Sequence, residues 1–469
     1  MNGGPDGTGG LGHRFHPTIL REYDIRGIVD ETLFTADARA IGAAFGTMIL
    51  ARGGHRIAVG YDGRLSSPAL GEAVIEGLRS TGITVLAIGL GPTPMVYFAV
   101  HHLETDGGLQ VTGSHNPPSH NGFKMALRTG PVYGGAIQEI GDIARRGAFA
   151  LGEGRVESRD VFAAYIDRLV QDFAGERPPS VVWDAGNGAA GPAMAALARR
   201  LPGRHACLFA EVDGRFPNHH PDPTVPENLE ALIATVKEGG YEVGIGFDGD
   251  GDRIGVVDGK GRIVWGDELL MILAGEILAE YPGATIIADV KASRILFDEV
   301  ARLGGKPLMW KTGHSLIKAK MAELGAPLSG EMSGHIFYKD RFYGHDDALY
   351  VAVRLLRILA SGERTLADLK DAMPRSFSTP EVRFECAEER KFGAIEAIRA
   401  NLEREGATVN GIDGVRVDGP DGWWLLRASN TQAVIVARAE SATEAGFQRL
   451  KEQVRGHLRR VGIEPPASF

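Results

Sequence analysis

Three carboxylates crowd into five residues of the segment Gly246-Phe-Asp-Gly-Asp-Gly-Asp-Arg253, where Asp248, Asp250 and Asp252 alternate with glycine. The glycines let the backbone curl so that all three side chains can face one point, and such a cluster repels itself unless a cation neutralises it. An apolar run, Val243–Phe247, leads straight into the cluster, as a strand leads into the loop at its end. The pattern calls for a strand-and-loop architecture around a hard-cation site; the competing reading is a solvated acidic turn. Magnesium suits the site, because this ion takes a few carboxylates and leaves positions for phosphate oxygens. A calcium EF-hand fails on spacing. Counted from Asp248, the sixth position is Arg253, where glycine is needed, and the twelfth is Gly259, where a bidentate glutamate is needed. An Asp-x-Asp-x-Thr phosphatase pattern fails because its fifth position is Asp252.

Other apolar runs end the same way. Ile57-Ala-Val-Gly-Tyr-Asp62, Val181-Val-Trp-Asp184 and Thr285-Ile-Ile-Ala-Asp289 look, with Val243–Asp248, like one unit used repeatedly, with functional loops at strand ends. Helix-like stretches alternate with these runs, which predicts mixed α/β layers. At 469 residues, 43% hydrophobic, the chain can bury a large core, and its length suggests about three domains or more. Boundaries are expected near Gly152–Asp160, at the turn Asp258–Arg262 and in Ala372–Pro380, where proline and serine interrupt the helical pattern. Beyond the last, Ile395, Ile398 and Leu402 recur at helical spacing, and Ala433–Ala437 reads as a strand before a final helix.

A second segment, Thr112-Gly-Ser-His-Asn-Pro-Pro118, follows the short apolar stretch Gly108–Thr112. Two prolines fix the chain just downstream of Ser114 and Gly113 allows close backbone approach, so the scaffold can hold the hydroxyl. His115 is adjacent and could assist. An ST-turn in an ordinary loop is the plainer alternative. A serine hydrolase fits poorly, since the surroundings are not Gly-x-Ser-x-Gly. An acceptor hydroxyl together with a cation cage suggests phosphoryl transfer through serine.

With their surroundings, these segments resemble the α-D-phosphohexomutases, the family of phosphoglucomutase, phosphomannomutase and phosphoglucosamine mutase. The resemblance runs in order from Arg21-Glu-Tyr-Asp-Ile-Arg-Gly27 through the serine loop, Asn121-Gly-Phe-Lys124, the carboxylate loop, Asp289-Val-Lys291 and Lys311-Thr-Gly-His314. It ends with Gly330-Glu-Met-Ser-Gly-His335 and Arg427-Ala-Ser-Asn-Thr431. It implies three similar mixed α/β domains followed by a smaller α+β domain around a central cleft, at residues 1–156, 157–260, 261–374 and 375–469. It also implies reversible phosphoryl transfer between the 1- and 6-positions of hexose phosphates through a phosphoserine and a hexose 1,6-bisphosphate.

The roles implied by the resemblance are chemically reasonable. Ser114 carries the phosphoryl group, and Asp248, Asp250 and Asp252 with a phosphoserine oxygen hold one Mg2+. Arg26, Lys124, Arg253 and His335 supply cations, with Lys124 and His335 as candidates for proton transfer. Tyr23, Lys291, His314, Glu331 and Ser333 are expected at the sugar, where a carboxylate accepts from two adjacent hydroxyls. Arg427, Ser429, Asn430 and Thr431 suit the phosphate that is not reacting. Gln432 and Ala433 depart from the threonine and proline often seen there, which questions the rigidity of that loop. Met332 stands where glucosamine enzymes usually carry glutamine, so mannose and glucose phosphates are the expected substrates, phosphoglucosamine mutase is the alternative, and glucose 1,6-bisphosphate is the expected activator. A non-catalytic sugar-phosphate binding protein on the same fold is a distant third reading.

Composition agrees with this and excludes other classes. Net charge is -9, from 51 Lys and Arg against 60 Asp and Glu, a poor footprint for nucleic acid. An anionic substrate must therefore be drawn in locally by the cations named above. Cys207 and Cys386 are far apart and lack metal-ligand spacing. No apolar run reaches the length of a membrane span, and glycine-rich Met1–Gly12 reads as a flexible tail, not a signal peptide. A cytoplasmic enzyme, monomeric or weakly homo-oligomeric, is expected.

Overall fold

One strand order occurs three times in the computed structural model, which describes residues 12–430, 432–465 and 469. The first unit uses, in chain order, Arg56–Tyr61, Thr84–Leu90, Gly107–Val111 and His120–Leu127. The second uses Val181–Asp184, His205–Leu208, Val243–Phe247 and Ile254–Asp258, and the third Thr285–Asp289, Lys306–Trp310, Leu328–Gly330 and Ile336–Tyr338. In each, the second strand lies outside the first, the third lies on the first's other side, and the fourth pairs antiparallel with the third. The first three strands are parallel, so a helix crosses over after the first and after the second, as parallel pairing requires.

The shared topology sorts the loops. Asp62, Asp184 and Asp289 all stand at the ends of first strands. Val243–Phe247 differs from the other Asp-terminated runs, being a third strand, so these four runs are not one equivalent set. Its true counterparts are Gly107–Val111, which delivers the serine loop, and Leu328–Gly330, which delivers Glu331. Serine, carboxylate and glutamate loops thus occupy the same position in three successive units, at the carboxyl ends of strands where α/β sheets place their sites.

The last unit is an antiparallel sheet in the order Phe377–Ser378, Val434–Ser441, Gly422–Ala428, Val415–Gly419, Val409–Asn410, with Val382–Glu385 also on Val434–Ser441. Helices Glu388–Arg404 and Glu444–Arg460 cover it, and Ile395, Ile398 and Leu402 form the buried stripe of the former. The strand expected at Ala433–Ala437 runs from Val434 to Ser441.

One continuous core joins the second and third units and takes in the helix Thr93–His102 of the first. The opposite face of the first sheet has its own core. Val290, Trp423 and Leu425 plug the seam between the third and last units; full burial of side chains of this size is worth about 1.5–3 kcal/mol each. Among the described residues no helix is long and apolar enough to cross a membrane. Of the glycine-rich amino terminus, residues 1–11 lie outside the described residues.

Candidate active site

The serine loop is held from below by one buried guanidinium. Arg64 donates through Nη2 to the carbonyls of Ser114 (2.7 Å) and Asn116 (2.6 Å), and through Nη1 to those of Pro117 (2.6 Å) and His120 (2.9 Å). Asp62 anchors it in turn, lying 3.2 Å from Arg64 Nε and accepting from Thr112 Oγ1 (2.8 Å) and the Gly113 amide (3.2 Å). Ser114 is thereby kept at φ +51°, in the left-handed region that non-glycine residues seldom occupy. A Cβ at Gly113 would collide with the Arg64 guanidinium, so glycine is required for this approach.

Ser114 is 1% exposed, and its Oγ donates to Asp248 Oδ2 at 3.0 Å. It also lies 3.2 Å from His115 Nδ1; burial and the surrounding cations push this histidine well below its ordinary pKa and keep it neutral. The carboxylate loop passes so close that a Cβ on Gly249 would meet the Ser114 carbonyl. Asp248, Asp250 and Asp252 are fully buried, and ligand oxygens of the three lie within 4.8 Å of one another. Asp248 Oδ1 accepts from the amides of Asp252 and Arg253, both at 3.1 Å. Asp250 Oδ2 accepts from Lys124 Nζ at 2.8 Å and from Thr93 Oγ1, and Asp252 Oδ2 accepts from the same ammonium. Oδ1 of Asp250 and of Asp252 are buried without a hydrogen-bond partner.

Those orphaned oxygens are what a hard cation would take, so the donor set fits the ion that the loop calls for. The electrostatics agree. Burial and then the neighbouring carboxylates push Asp248 well above the usual carboxylate range; burial, with Asp250 adding to it, also raises Asp252. Burial pulls the Lys124 ammonium down, but Asp250 and Asp252 outweigh it and hold the group well above its ordinary pKa. One lysine thus balances only part of three buried charges.

The third unit meets this loop directly. Arg253 forms an isolated bridge with His335, and Arg253 Nε donates to His335 Nε2 at 2.9 Å. His335 Nδ1 lies 2.9 Å from Asp346 Oδ2, and Asp346 accepts from Lys318 Nζ at 2.9 Å. His314 stacks on His335 with centroids 5.4 Å apart, and burial together with Lys318 drives it well below its ordinary pKa. Glu331 accepts from the Gly313 amide at 2.7 Å. Lys291 Nζ reaches Glu381 of the last unit at 2.8 Å, and Arg427 pairs with Asp413 at 3.1 Å, whose Oδ2 also accepts from the Thr312 amide. Asn430 Nδ2 donates to the Tyr23 hydroxyl at 2.6 Å, and that hydroxyl donates to the Thr312 carbonyl at 2.9 Å.

All of this surrounds one cleft. Its wall includes Tyr23, Arg26, Ser114, Lys124, Arg253, Lys291, His314, Glu331, Ser333, His335, Arg427, Ser429 and Asn430. Asp248, Asp250 and Asp252 lie behind Lys124 and Ser114, while Thr431 lies outside the described residues. Six cationic side chains face three carboxylates in this wall, with Arg383 and Glu381 beside those already named and Asp24 paired to Arg26. The wall thus offers more cations than carboxylates to an anion in a chain of net charge -9, with the carboxylate trio just behind it. The loop after Ser429 is tied down in spite of Gln432 and Ala433: the Gln432 amide donates to Ser429 Oγ at 3.2 Å and its carbonyl accepts from Lys391 at 2.9 Å.

Sequence reasoning missed the supports. Asp62 stood out as a strand-end aspartate, but nothing marked Arg64 as its partner beneath a loop 50 residues away. Thr93, Asp346, Glu381 and Asp413 likewise act through distant pairings, and an acid one unit away in sequence space gives no periodic or motif signal.

Known proteins match along almost the whole length. Four family models match in order: phosphoglucomutase/phosphomannomutase alpha/beta/alpha domain I at residues 17–150, domain II at 163–261, domain III at 265–377 and the C-terminal domain at 381–457. The chain is 45% identical over 452 residues to a phosphomannomutase/phosphoglucomutase of Pseudomonas aeruginosa, covering 96% of this chain and 98% of that one. It is 45% identical over 439 residues to a phosphoglucomutase of Neisseria gonorrhoeae, covering 93% and 95%. The crystal structure of a phosphoglucomutase/phosphomannomutase family protein from Burkholderia thailandensis superposes with a TM-score of 0.91 at 45% identity, over 97% of this chain and all of that one. Strand order, loop positions and these matches agree, and the chain belongs to the phosphoglucomutase/phosphomannomutase family.

Proposed function

We propose that the chain is a hexose phosphate mutase that moves a phosphoryl group between the 1- and 6-positions of mannose and glucose phosphates, through phosphorylated Ser114 and a hexose 1,6-bisphosphate. The observation that carries this reading is the Ser114 hydroxyl, 3.0 Å from Asp248 of a buried carboxylate trio and in the same cleft as the Arg427 loop. A site built for one phosphate at each end suits a substrate with two positions to exchange.

Mg2+ held by Asp248, Asp250, Asp252 and an oxygen on Ser114 would supply Lewis-acid charge to the transferring group. In transfer, the P–Oγ bond to Ser114 breaks as a P–O bond to the sugar hydroxyl forms. The hydroxyl proton passes to His335, which Asp346 orients, and the serine oxygen regains a proton with Lys124 as the neighbouring donor. Arg26 and Arg253 steady the charge on the equatorial oxygens. Tyr23, Lys291, His314, Glu331 and Ser333 hold the sugar, and Arg427, Ser429, Asn430 and Thr431 hold the resting phosphate. Turnover of the bisphosphate inside the cleft then presents its other phosphate to the serine. Glucose 1,6-bisphosphate acts as activator because it can rephosphorylate a serine that has lost its group, leaving a glucose monophosphate. The reading places a cytoplasmic monomer or weak homo-oligomer, with units dividing near residues 156, 260 and 374.

A coupled assay with Mg2+, a trace of glucose 1,6-bisphosphate, and mannose 1-phosphate or glucose 1-phosphate in separate wells tests it. Comparable turnover of both is expected. Turnover of glucosamine 6-phosphate well above either would make it a glucosamine phosphate mutase, and inactivity on all three would leave a sugar-phosphate binding protein.

A further inference from the structure

A second cavity, of about 430 Å3, opens away from the cleft at the seam of the first and third units. It is lined by the helices Thr93–His102 and His314–Leu324, the turn at residues 128–131 and the loop 339–345. Its wall contains the cations Arg128, Lys318 and Lys339 and not one carboxylate, in a chain where acids outnumber bases. Lys318 is committed to Asp346, whereas Arg128 has only a loose 3.9 Å approach to exposed Glu104, and Lys339 is exposed. The cations therefore come from both units and two of them are available to an anion.

The same wall is rich in rings. His101 and Tyr343 stack at 4.6 Å and 12°, and the ring of His345 lies parallel to that of Tyr343 within 4°, with centroids 5.7 Å apart. These rings and the cationic rim together describe a ligand with a flat ring and a negative charge. We propose that this cavity is a second binding site, distinct from the catalytic cleft, for a nucleoside phosphate, with the base against the rings and the phosphate at Arg128 and Lys339.

Both lining helices begin at the catalytic site. Thr93 opens one and bonds Asp250 of the carboxylate loop through its hydroxyl, while its amide meets the Asp250 carbonyl at 2.8 Å. His314 opens the other and stacks on His335. Lys318, midway along that helix, contacts Asp346, which contacts His335. A ligand that spreads the seam thus shifts groups around the serine without touching the sugar, and alters kcat at saturating substrate.

Calorimetric titration of the full-length protein with adenosine 5′-monophosphate, the cleft saturated with glucose 1,6-bisphosphate, tests this. Binding is expected to persist with the cleft filled, and adenosine or inorganic phosphate alone should bind at least about tenfold more weakly. Joint Arg128→Glu and Lys339→Glu substitution should weaken the nucleotide about tenfold or more with basal mutase turnover and melting temperature unchanged. Ala322→Trp, which fills the cavity, should abolish binding. Loss of the nucleotide signal when the cleft is filled, native-like binding by the charge-reversed protein, or adenosine binding as tightly as its phosphate would overturn the proposal.

Discussion

The serine loop and the Arg427 loop both face the cleft, yet they are built in opposite ways. Around Ser114, four consecutive-region carbonyls converge on Arg64, which Asp62 anchors from the strand end, and the carboxylate loop closes the remaining space. The Arg427 loop rests on paired polar contacts: Arg427 with Asp413, Asn430 with Tyr23, and Gln432 with Lys391. Its unit is seated on the third one by the Trp423 plug, by Arg416 donating to the carbonyls of Val290 (2.7 Å) and Ala292 (2.8 Å), and by Arg438 against Asp267 at 3.0 Å. To the first unit it reaches through the Tyr23 hydroxyl. On the proposed function, the chemistry sits where the backbone is over-determined, and the far phosphate falls to a unit with a firm pivot and a light latch. Such a division predicts that the cleft closes on substrate without disturbing the serine.

The sharpest way to break the comparison is to remove the hydroxyl that the rigid side exists to present. Ser114→Ala should lower turnover by about a thousandfold or more while hexose phosphate binding stays near native, since the nucleophile contributes to transfer and little to ground-state affinity. Steady-state assay and calorimetry read the two quantities separately, and a near-native rate would refute the phosphoserine route. Arg64→Lys comes next. Lysine keeps a charge beside Asp62 but cannot fork to several carbonyls, so kcat should fall by about ten- to a hundredfold with KM little changed. Arg64→Ala leaves Asp62 buried and unpaired and should cost about 3–5 kcal/mol in denaturant unfolding. If either variant raised KM alone, the rigid side would be acting in binding and the contrast would collapse.

How far the sequence carried this contrast follows from the range of each signal. Asp248, Asp250 and Asp252 are legible because spacing within five residues is itself the geometry. The α/β layers are legible because apolar runs alternate with helical ones, and the stripe Ile395, Ile398, Leu402 is local periodicity. The unit repeat was legible only in part. Val243–Asp248 shares its apolar pattern with three first strands, and a pattern of that length holds no information on sheet position, so strand pairing was needed to place it beside Gly107–Val111 and Leu328–Gly330. Rigidity of the serine loop was traced to two prolines and Gly113, whereas the structure adds Arg64 as its chief support, 50 residues earlier and silent in any local window. Asp346 behind His335 and Glu381 opposite Lys291 were hidden for the same reason.

On the light side, Arg427→Ala tests whether the loop acts chiefly in grip. It removes a charge-assisted contact to a phosphate dianion, so KM should rise about ten- to a hundredfold with a smaller change in kcat. A fall in kcat with KM unchanged would show the Arg427 loop taking part in transfer itself, and would erase the difference between the two sides.

The latch gives the smallest effect and the finest discrimination. Tyr23→Phe deletes the hydroxyl that accepts from Asn430 and donates to the Thr312 carbonyl, without changing the ring that packs edge-on to His314 at 6.1 Å. Two neutral hydrogen bonds of this kind are worth about 0.5–1.5 kcal/mol each. If the latch matters only for closure, the variant should keep its melting temperature within a few degrees and show a several-fold rise in KM. Small-angle scattering should then show native protein compacting on addition of glucose 1,6-bisphosphate, and the Tyr23→Phe protein needing more ligand for the same compaction. Absence of compaction in the native protein would mean that the pivot does not turn, and that the Arg427 loop is as fixed as the serine loop despite its sparser supports.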